Sequence, residues 1–200
     1  MTIVKLVSDT TCDLPSKIVK DLDMEIVPLK VIMDGEEFTA GQELTSEEFY
    51  ILLPTLNEIP TTSQPSPKKF FQVYTEIPDN YDLIISLHIS RKMSGTLNSA
   101  EKAKKMLPSK PIEIFDSKNT GAALGLLLLE INERIKELET KNEIITQVDE
   151  LIPQIKTIGY AGTLKYLIKG GRIGKAKGLI GKLLGTLPIL KIENGEVDSV

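Results

Sequence analysis

The chain reads as an α/β protein, with a three-layer α/β/α domain and a mostly parallel sheet over residues 1–152. The start of a second, incomplete α/β domain follows over 153–200. Three observations point there. Short β-branched, apolar runs are each followed by a polar junction and then a helical pattern, and this unit recurs three times, as parallel sheets require. The clearest of them, Leu-Ile-Ile-Ser-Leu-His-Ile within Asp82–Ile89, reads as a strand along its whole length. Composition also changes near Leu151-Ile152-Pro153: nine of the 14 glycines lie after residue 150.

Ile3–Val7 predicts the first strand, and Pro15–Leu22 a short helix after Asp13. Glu25–Met33 reads as one strand, ending at the turn Asp34-Gly35, with a second strand at Glu37–Thr39. Thr45-Ser46-Glu47-Glu48 marks a helix start, the helix running to about Leu53. Pro67–Thr75 is a further helix. Asp82–Ile89 is the clearest strand, and Ser94 the expected N-cap of a helix to Leu107. Ile112–Phe115 is a strand, Asn119–Glu139 a long helix, and Glu143–Ile155 a helix by its apolar spacing. Pro188–Glu193, Asn194-Gly195 and Glu196–Val200 form a hairpin.

The net charge of −4 is mild. One cysteine, Cys12, forms no internal disulfide, and the early Ser8-Asp9 interrupts any signal-peptide pattern, so a cytoplasmic protein is expected. Gly121–Leu129, the longest uncharged apolar stretch, is far short of the ~20 residues of a membrane span. One Cys and one His without ligand spacing argue against a metal site. From Leu151 to Ile192 there is no Asp or Glu, but there are Lys156, Lys165, Lys169, Arg172, Lys175, Lys177, Lys182 and Lys191. Scarce aromatics and basic residues confined to one stretch argue against nucleic acid. A solvated face, an anionic membrane surface and a protein partner remain open for that segment.

In a parallel sheet the loops after the strands emerge at one edge, where ligands bind. Asp9-Thr10-Thr11, Ser90–Thr96 and Asp116-Ser117 are therefore expected to share a rim. Thr61-Thr62-Ser63-Gln64-Pro65-Ser66-Pro67 is rich in hydroxyls and braced by Pro60, Pro65 and Pro67, which predicts a stiff loop. Such a loop suits an anion; a plain surface turn has the same composition. Ser94 reads equally as a simple helix cap, and Arg172 as a solvated surface residue. His88, alternating with apolar neighbours inside a strand, reads as structural.

Taken together, Asp9-Thr10-Thr11-Cys12-Asp13-Leu14-Pro15, the Thr61–Pro67 block, Ser90-Arg91-Lys92-Met93-Ser94-Gly95-Thr96 and Gly170-Gly171-Arg172-Ile173 resemble, in order and spacing, the DegV family of bacterial fatty-acid-binding proteins. The resemblance runs along nearly the whole chain. It implies a lipid-binding carrier, not an enzyme, whose ligand is a long-chain fatty acid, with no further cofactor. It also implies that the carboxylate is presented to a fatty-acid kinase for acyl-phosphate formation in phospholipid synthesis. By the same resemblance Thr62 and Ser94 hold the carboxylate, Ser63 and Gly95 shape the pocket, and Arg172 lies near the head group. The Leu-rich run 122–129 would flank the acyl tail. Family members extend further at the C-terminus and contribute a histidine there, a position His88 does not match.

A different reading is a small-molecule phosphoryl- or acyl-transfer enzyme using the same hydroxyls. It needs a base or metal that no motif supplies: Gly-x-Ser-x-Gly and a Walker glycine run are both absent. A third is a pairing module whose open Ile189–Val200 hairpin seeks another strand edge.

Overall fold

The computed structural model describes residues 2–180 and 187–200. In chain order its strands and helices are β1 (Val4–Asp9), α1 (Ser16–Asp21), β2 (Glu25–Val27), β3 (Lys30–Met33), β4 (Glu36–Thr39), α2 (Ser46–Leu52), β5 (Thr61–Ser63), α3 (Pro67–Glu76), β6 (Leu83–His88), α4 (Thr96–Met106), β7 (Ile112–Asp116), α5 (Gly121–Arg134), α6 (Lys141–Leu151), β8 (Thr157–Tyr160), α7 (Lys165–Lys169), β9 (Ile189–Glu193) and β10 (Glu196–Ser199).

The central sheet has the order β2-β1-β6-β7, and its pairings are parallel. Every residue of β6 is buried, because helices cover both faces of the sheet. Alternation along the strand sorts its side chains into two layers. Leu83, Ile85 and Leu87 join Leu6, Phe115, Leu124, Leu127, Leu128 and Ile131, together with Ile144 and Val148 of α6. Ile84 faces the other way, among Val7, Ile112, Phe70, Tyr74 and Ala100 of α3 and α4. The expected three-layer arrangement with a mostly parallel sheet is present.

Several boundaries differ from the sequence reading. Glu25–Met33 is two strands, broken at Pro28, which has no N–H to donate to a ladder. Up to Val27 the chain belongs to the parallel sheet; from Lys30 it belongs to a separate antiparallel sheet, β4-β3-β5. The rim itself anchors the exit, since the Leu29 N–H donates to Thr10 Oγ1 at 3.1 Å. α5 ends at Arg134 and passes into a 3₁₀ turn over Ile135–Glu137, short of the expected Glu139. α6 starts two residues earlier than expected, at Lys141, through a capping box between Thr140 and Glu143, and it ends at Leu151. The predicted capping pattern at Thr45 is present, with Glu48 as its partner.

Residues 157–200 supply a third sheet, antiparallel, in the order β10-β9-β8. Leu164, Ile173 and Ala176 form a small cluster of their own. The terminal hairpin is not a free pair: β9 is the middle strand, with β8 on its other side. That removes the open edge expected along Ile189–Glu193. Of the basic segment, Lys182 lies outside the described residues.

Candidate functional site

β1, β6 and β7 run in the same direction, so their C-terminal ends place Asp9, His88 and Asp116 along one edge. The junctions that follow are bonded to one another. The Ser90 N–H donates to the Asn119 carbonyl at 2.9 Å, the Ser117 N–H to the His88 carbonyl at 3.1 Å, and the Arg91 N–H to Asp116 Oδ1 at 3.3 Å. Asp9 is tied in by the Ile89 N–H, which donates to its Oδ2 at 3.1 Å, so the rim expected from the strand order is present as a hydrogen-bonded, largely buried polar layer.

Beneath it lies a buried relay. Asp9 Oδ2 is 3.0 Å from His88 Nδ1, His88 Nε2 is 2.6 Å from Ser86 Oγ, and Ser86 Oγ is 2.7 Å from the Tyr74 hydroxyl. All four side chains are fully buried, and Phe70 meets the imidazole edge-on. Burial alone would raise the Asp9 carboxyl, but His88, the Thr11 hydroxyl and the Ile89 N–H hold it below its ordinary value. Burial pushes the Tyr74 phenol well up. This Asp-His-Ser chain has the composition of a hydrolase triad but no access to solvent. It ties the rim to α3, with His88 buried inside its strand.

The small antiparallel sheet delivers the first candidate block. Thr61–Ser63 is a strand, not only a stiff loop: Thr62 pairs with Val31 and Ser63 with Lys30. Thr62 is exposed and Ser63 half-buried, and neither hydroxyl is spent on a hydrogen bond among the described residues. Gln64 then reaches across to the second block, its Nε2 donating to Ser99 Oγ at 3.3 Å. It covers Gly95 so closely that a Cβ there would lie 2.6 Å from Gln64 Cδ. The Thr61–Pro65 segment and the Ser94-Gly95 turn thus meet, with Gln64 as the link.

Ser94 is not the N-cap. α4 begins at Thr96, Gly95 is the cap, and no side chain closes it. The turn in which the Met93 and Ser94 N–H groups both bond the Ser90 carbonyl puts Ser94 one residue too early. Its half-buried hydroxyl accepts from the Thr96 N–H at 3.2 Å and lies 2.8 Å from Thr96 Oγ1. It remains beside the N-terminus of an 11-residue helix, whose dipole favours an anion. Arg172 enters from the C-terminal unit, its Nε donating to the Met93 carbonyl at 3.0 Å while its Nη1 donates to the Gly170 carbonyl. In this structure its Nε is occupied by the backbone next to Ser94.

The Leu-rich run splits. Leu124, Leu127 and Leu128 are buried in the core, and Leu126 is half-exposed. Among the described residues no group of His, Cys, Asp and Glu could hold a metal ion, and no helix is long and apolar enough to cross a membrane. Sequence reasoning missed Gln64, which stands inside a block it singled out. It also missed the joint role of Asp9, Ser86 and Tyr74. In-register alternation placing Ser86 and His88 on one face of β6 was the available signal for the latter.

The fold and rim define a class: an α/β protein with hydroxyl and amide donors gathered at the carboxyl edge of a parallel sheet. Comparison then gives the family. Residues 3–200 match the family model described as "Uncharacterised protein, DegV family", and the chain belongs to the DegV family. A DegV domain-containing protein of Caldanaerobacter subterraneus subsp. tengcongensis is 34% identical over 197 residues, covering 98% of this chain and 70% of that protein. Among solved structures, a fatty-acid-binding DegV family protein of Thermus thermophilus superposes with a TM-score of 0.91 at 32% identity, over 100% of this chain and 71% of that one. A stearic-acid-binding protein of Eubacterium ventriosum gives 0.90 at 29% identity, over 99% and 70%. DegV of Bacillus subtilis, a fatty-acid-binding protein, gives 0.86 at 31%, over 98% and 70%.

Proposed function

We propose that this protein binds a long-chain fatty acid non-covalently and presents its carboxylate to a fatty-acid kinase, acting as a carrier and not as an enzyme. The observation that carries the reading is the meeting of the Thr61–Pro65 segment with the Ser94-Gly95 turn. It gathers unspent hydroxyls and the start of α4 in a chain whose relatives are fatty-acid-binding proteins.

The physical division of labour is simple. Burying roughly fourteen methylenes at about 0.8 kcal/mol each gives ~11 kcal/mol gross, from which immobilisation subtracts several. The tail supplies affinity, and the head group needs only to avoid an unpaired buried charge. Thr62 and Ser94 supply the hydroxyls, Ser63 and Gly95 shape the approach, and Arg172 adds positive charge nearby. Hydroxyl and backbone donors do this without a strong ion pair, which suits a carboxylate that must remain available to a kinase. The stretch from Lys156 to Lys191, free of Asp and Glu in sequence, is the segment we assign to that kinase or to an anionic membrane. Transfer chemistry at the same rim is the weaker reading, because His88 and its Asp9 partner are sealed from any substrate.

Native mass spectrometry of the purified protein, repeated after solvent extraction, tests the proposal. A near-stoichiometric fatty acid supports it. A protein that is empty and takes up no added fatty acid removes lipid binding from residues 1–200.

A further inference from the structure

The loop between β6 and α4, which bears Ser94, is gripped from the C-terminal unit at three successive points. The Ser90 hydroxyl, fully buried, donates to the Gly195 carbonyl at 2.6 Å and accepts from the Lys92 N–H at 3.2 Å. Lys92 Nζ pairs with Glu196 Oε1 at 3.1 Å, and Lys175 engages the same oxygen at 3.3 Å. Arg172 bonds the Met93 carbonyl. Ser94 is the next residue.

The grip depends on the turn between β9 and β10. Asn194 and Gly195 have φ of 51° and 84°, the left-handed pair of a tight hairpin. A Cβ at residue 195 would overlap Ser90 Oγ and come within 3.6 Å of Lys118 Cα, so only glycine lets the turn reach the rim. A second, independent tie joins the units: Thr157 Oγ1 donates to Asn119 Oδ1 at 3.0 Å. The Ser90 contact is therefore not the sole tie between them, and it acts on the loop itself.

We propose that Ser90 and Glu196 are positioning residues: the hairpin turn of the C-terminal unit latches the Ser90–Met93 backbone and so sets where the Ser94 hydroxyl and the Gly95 N–H stand. This rests on the fatty-acid reading for its binding consequence, but the latch itself consists of contacts within the chain. Neither residue belongs to the proposed head-group set of Thr62, Ser63, Ser94, Gly95 and Arg172. Loosening the latch lowers carboxylate recognition and spares the tail.

The test compares the unaltered protein with Ser90→Ala and Glu196→Gln. Binding of stearic acid and of stearyl alcohol, which has the same tail and no carboxylate, is measured beside the ¹⁵N-resolved amide resonances of Met93, Ser94 and Gly95 without lipid. The latch bond lies within the protein and is made with or without lipid, so its net worth bounds the change in affinity, at about tenfold. Ser90→Ala is expected to weaken stearic acid by up to about tenfold and stearyl alcohol hardly at all, with the three amides displaced. Glu196→Gln, which keeps the side chain's size and removes only its charge, is expected to do the same by up to about threefold. An unchanged acid-to-alcohol ratio in both variants, or unmoved amides, overturns the latch. If the unaltered protein binds neither lipid, the fatty-acid reading fails and the amide displacements alone decide the latch.

Discussion

Ser86→Ala separates a wired polar network from a set of incidental contacts. Ser86 Oγ stands between the Tyr74 hydroxyl at 2.7 Å and His88 Nε2 at 2.6 Å, all fully buried. Among the described residues no buried side-chain nitrogen or oxygen lacks a partner. Removing the hydroxyl orphans two groups at once. Each lost partner costs about 1–3 kcal/mol when a buried polar atom is left unsatisfied, so Ser86→Ala should lose about 2–6 kcal/mol. That is a large part of the ~5–15 kcal/mol a domain has. Tyr74→Phe removes only one bond and leaves Ser86 still joined to His88, so about 1 kcal/mol is expected. The sharper expectation concerns the double variant. With Ser86 already gone, Tyr74→Phe deletes an orphaned hydroxyl and should restore stability, reversing its sign. Urea unfolding of the four proteins, followed by far-UV circular dichroism, reads all of this as midpoints at constant slope. A Ser86→Ala loss no larger than that of Tyr74→Phe, or additive losses in the double variant, would refute the relay.

Asp9 titrates below the ordinary carboxylate range when folded, so its contribution is present above about pH 4, the unfolded value, and is lost as pH falls through the lower folded value. Asp9→Asn should lower stability at neutral pH and flatten the acid limb of the unfolding midpoint against pH; an acid limb as steep as before would contradict this. Gly125 of α5 and Gly95 should respond differently to alanine. At Gly125 a Cβ would lie 2.6 Å from the Cys12 carbonyl oxygen, which is backbone and cannot swing away. Overpacking of ~1–3 kcal/mol outweighs the ~1 kcal/mol helix gain, and a raised melting temperature would exclude it. At Gly95 the obstacle is the tip of Gln64, so Gly95→Ala should leave the melting temperature within a few degrees while weakening lipid retention. Thr62→Ala and Ser94→Ala are expected to reduce co-purifying fatty acid with unchanged circular dichroism; full occupancy in both would withdraw the head-group assignment.

Legibility followed the range of the interactions. β6, with its uninterrupted buried run, was plain, as were the capping pattern at Thr45 and the tight turn at Asn194-Gly195, because periodicity, caps and turn dihedrals are local. The shared rim of Asp9, Ser90 and Asp116 followed from strand direction alone. Pro28 was legible as a residue but not as the point where the chain changes sheets, since pairing partners lie far along the sequence. Ser94 looked like a cap because Ser before a helical run is one statistically; the turn closed on Ser90 moved it by one residue.

What the sequence alone determined here is the α/β class, the edge where the polar junctions gather, and the four blocks that resemble the DegV family. These rest on short-range preferences and on the rule that parallel strands share an orientation. Only the tertiary structure decided that Gln64 bridges two of the blocks, that Asp9, His88, Ser86 and Tyr74 form one sealed chain, and that Gly195 reaches Ser90 across 105 residues. Such contacts are chosen by which surfaces exclude water together, a property of the folded chain as a whole.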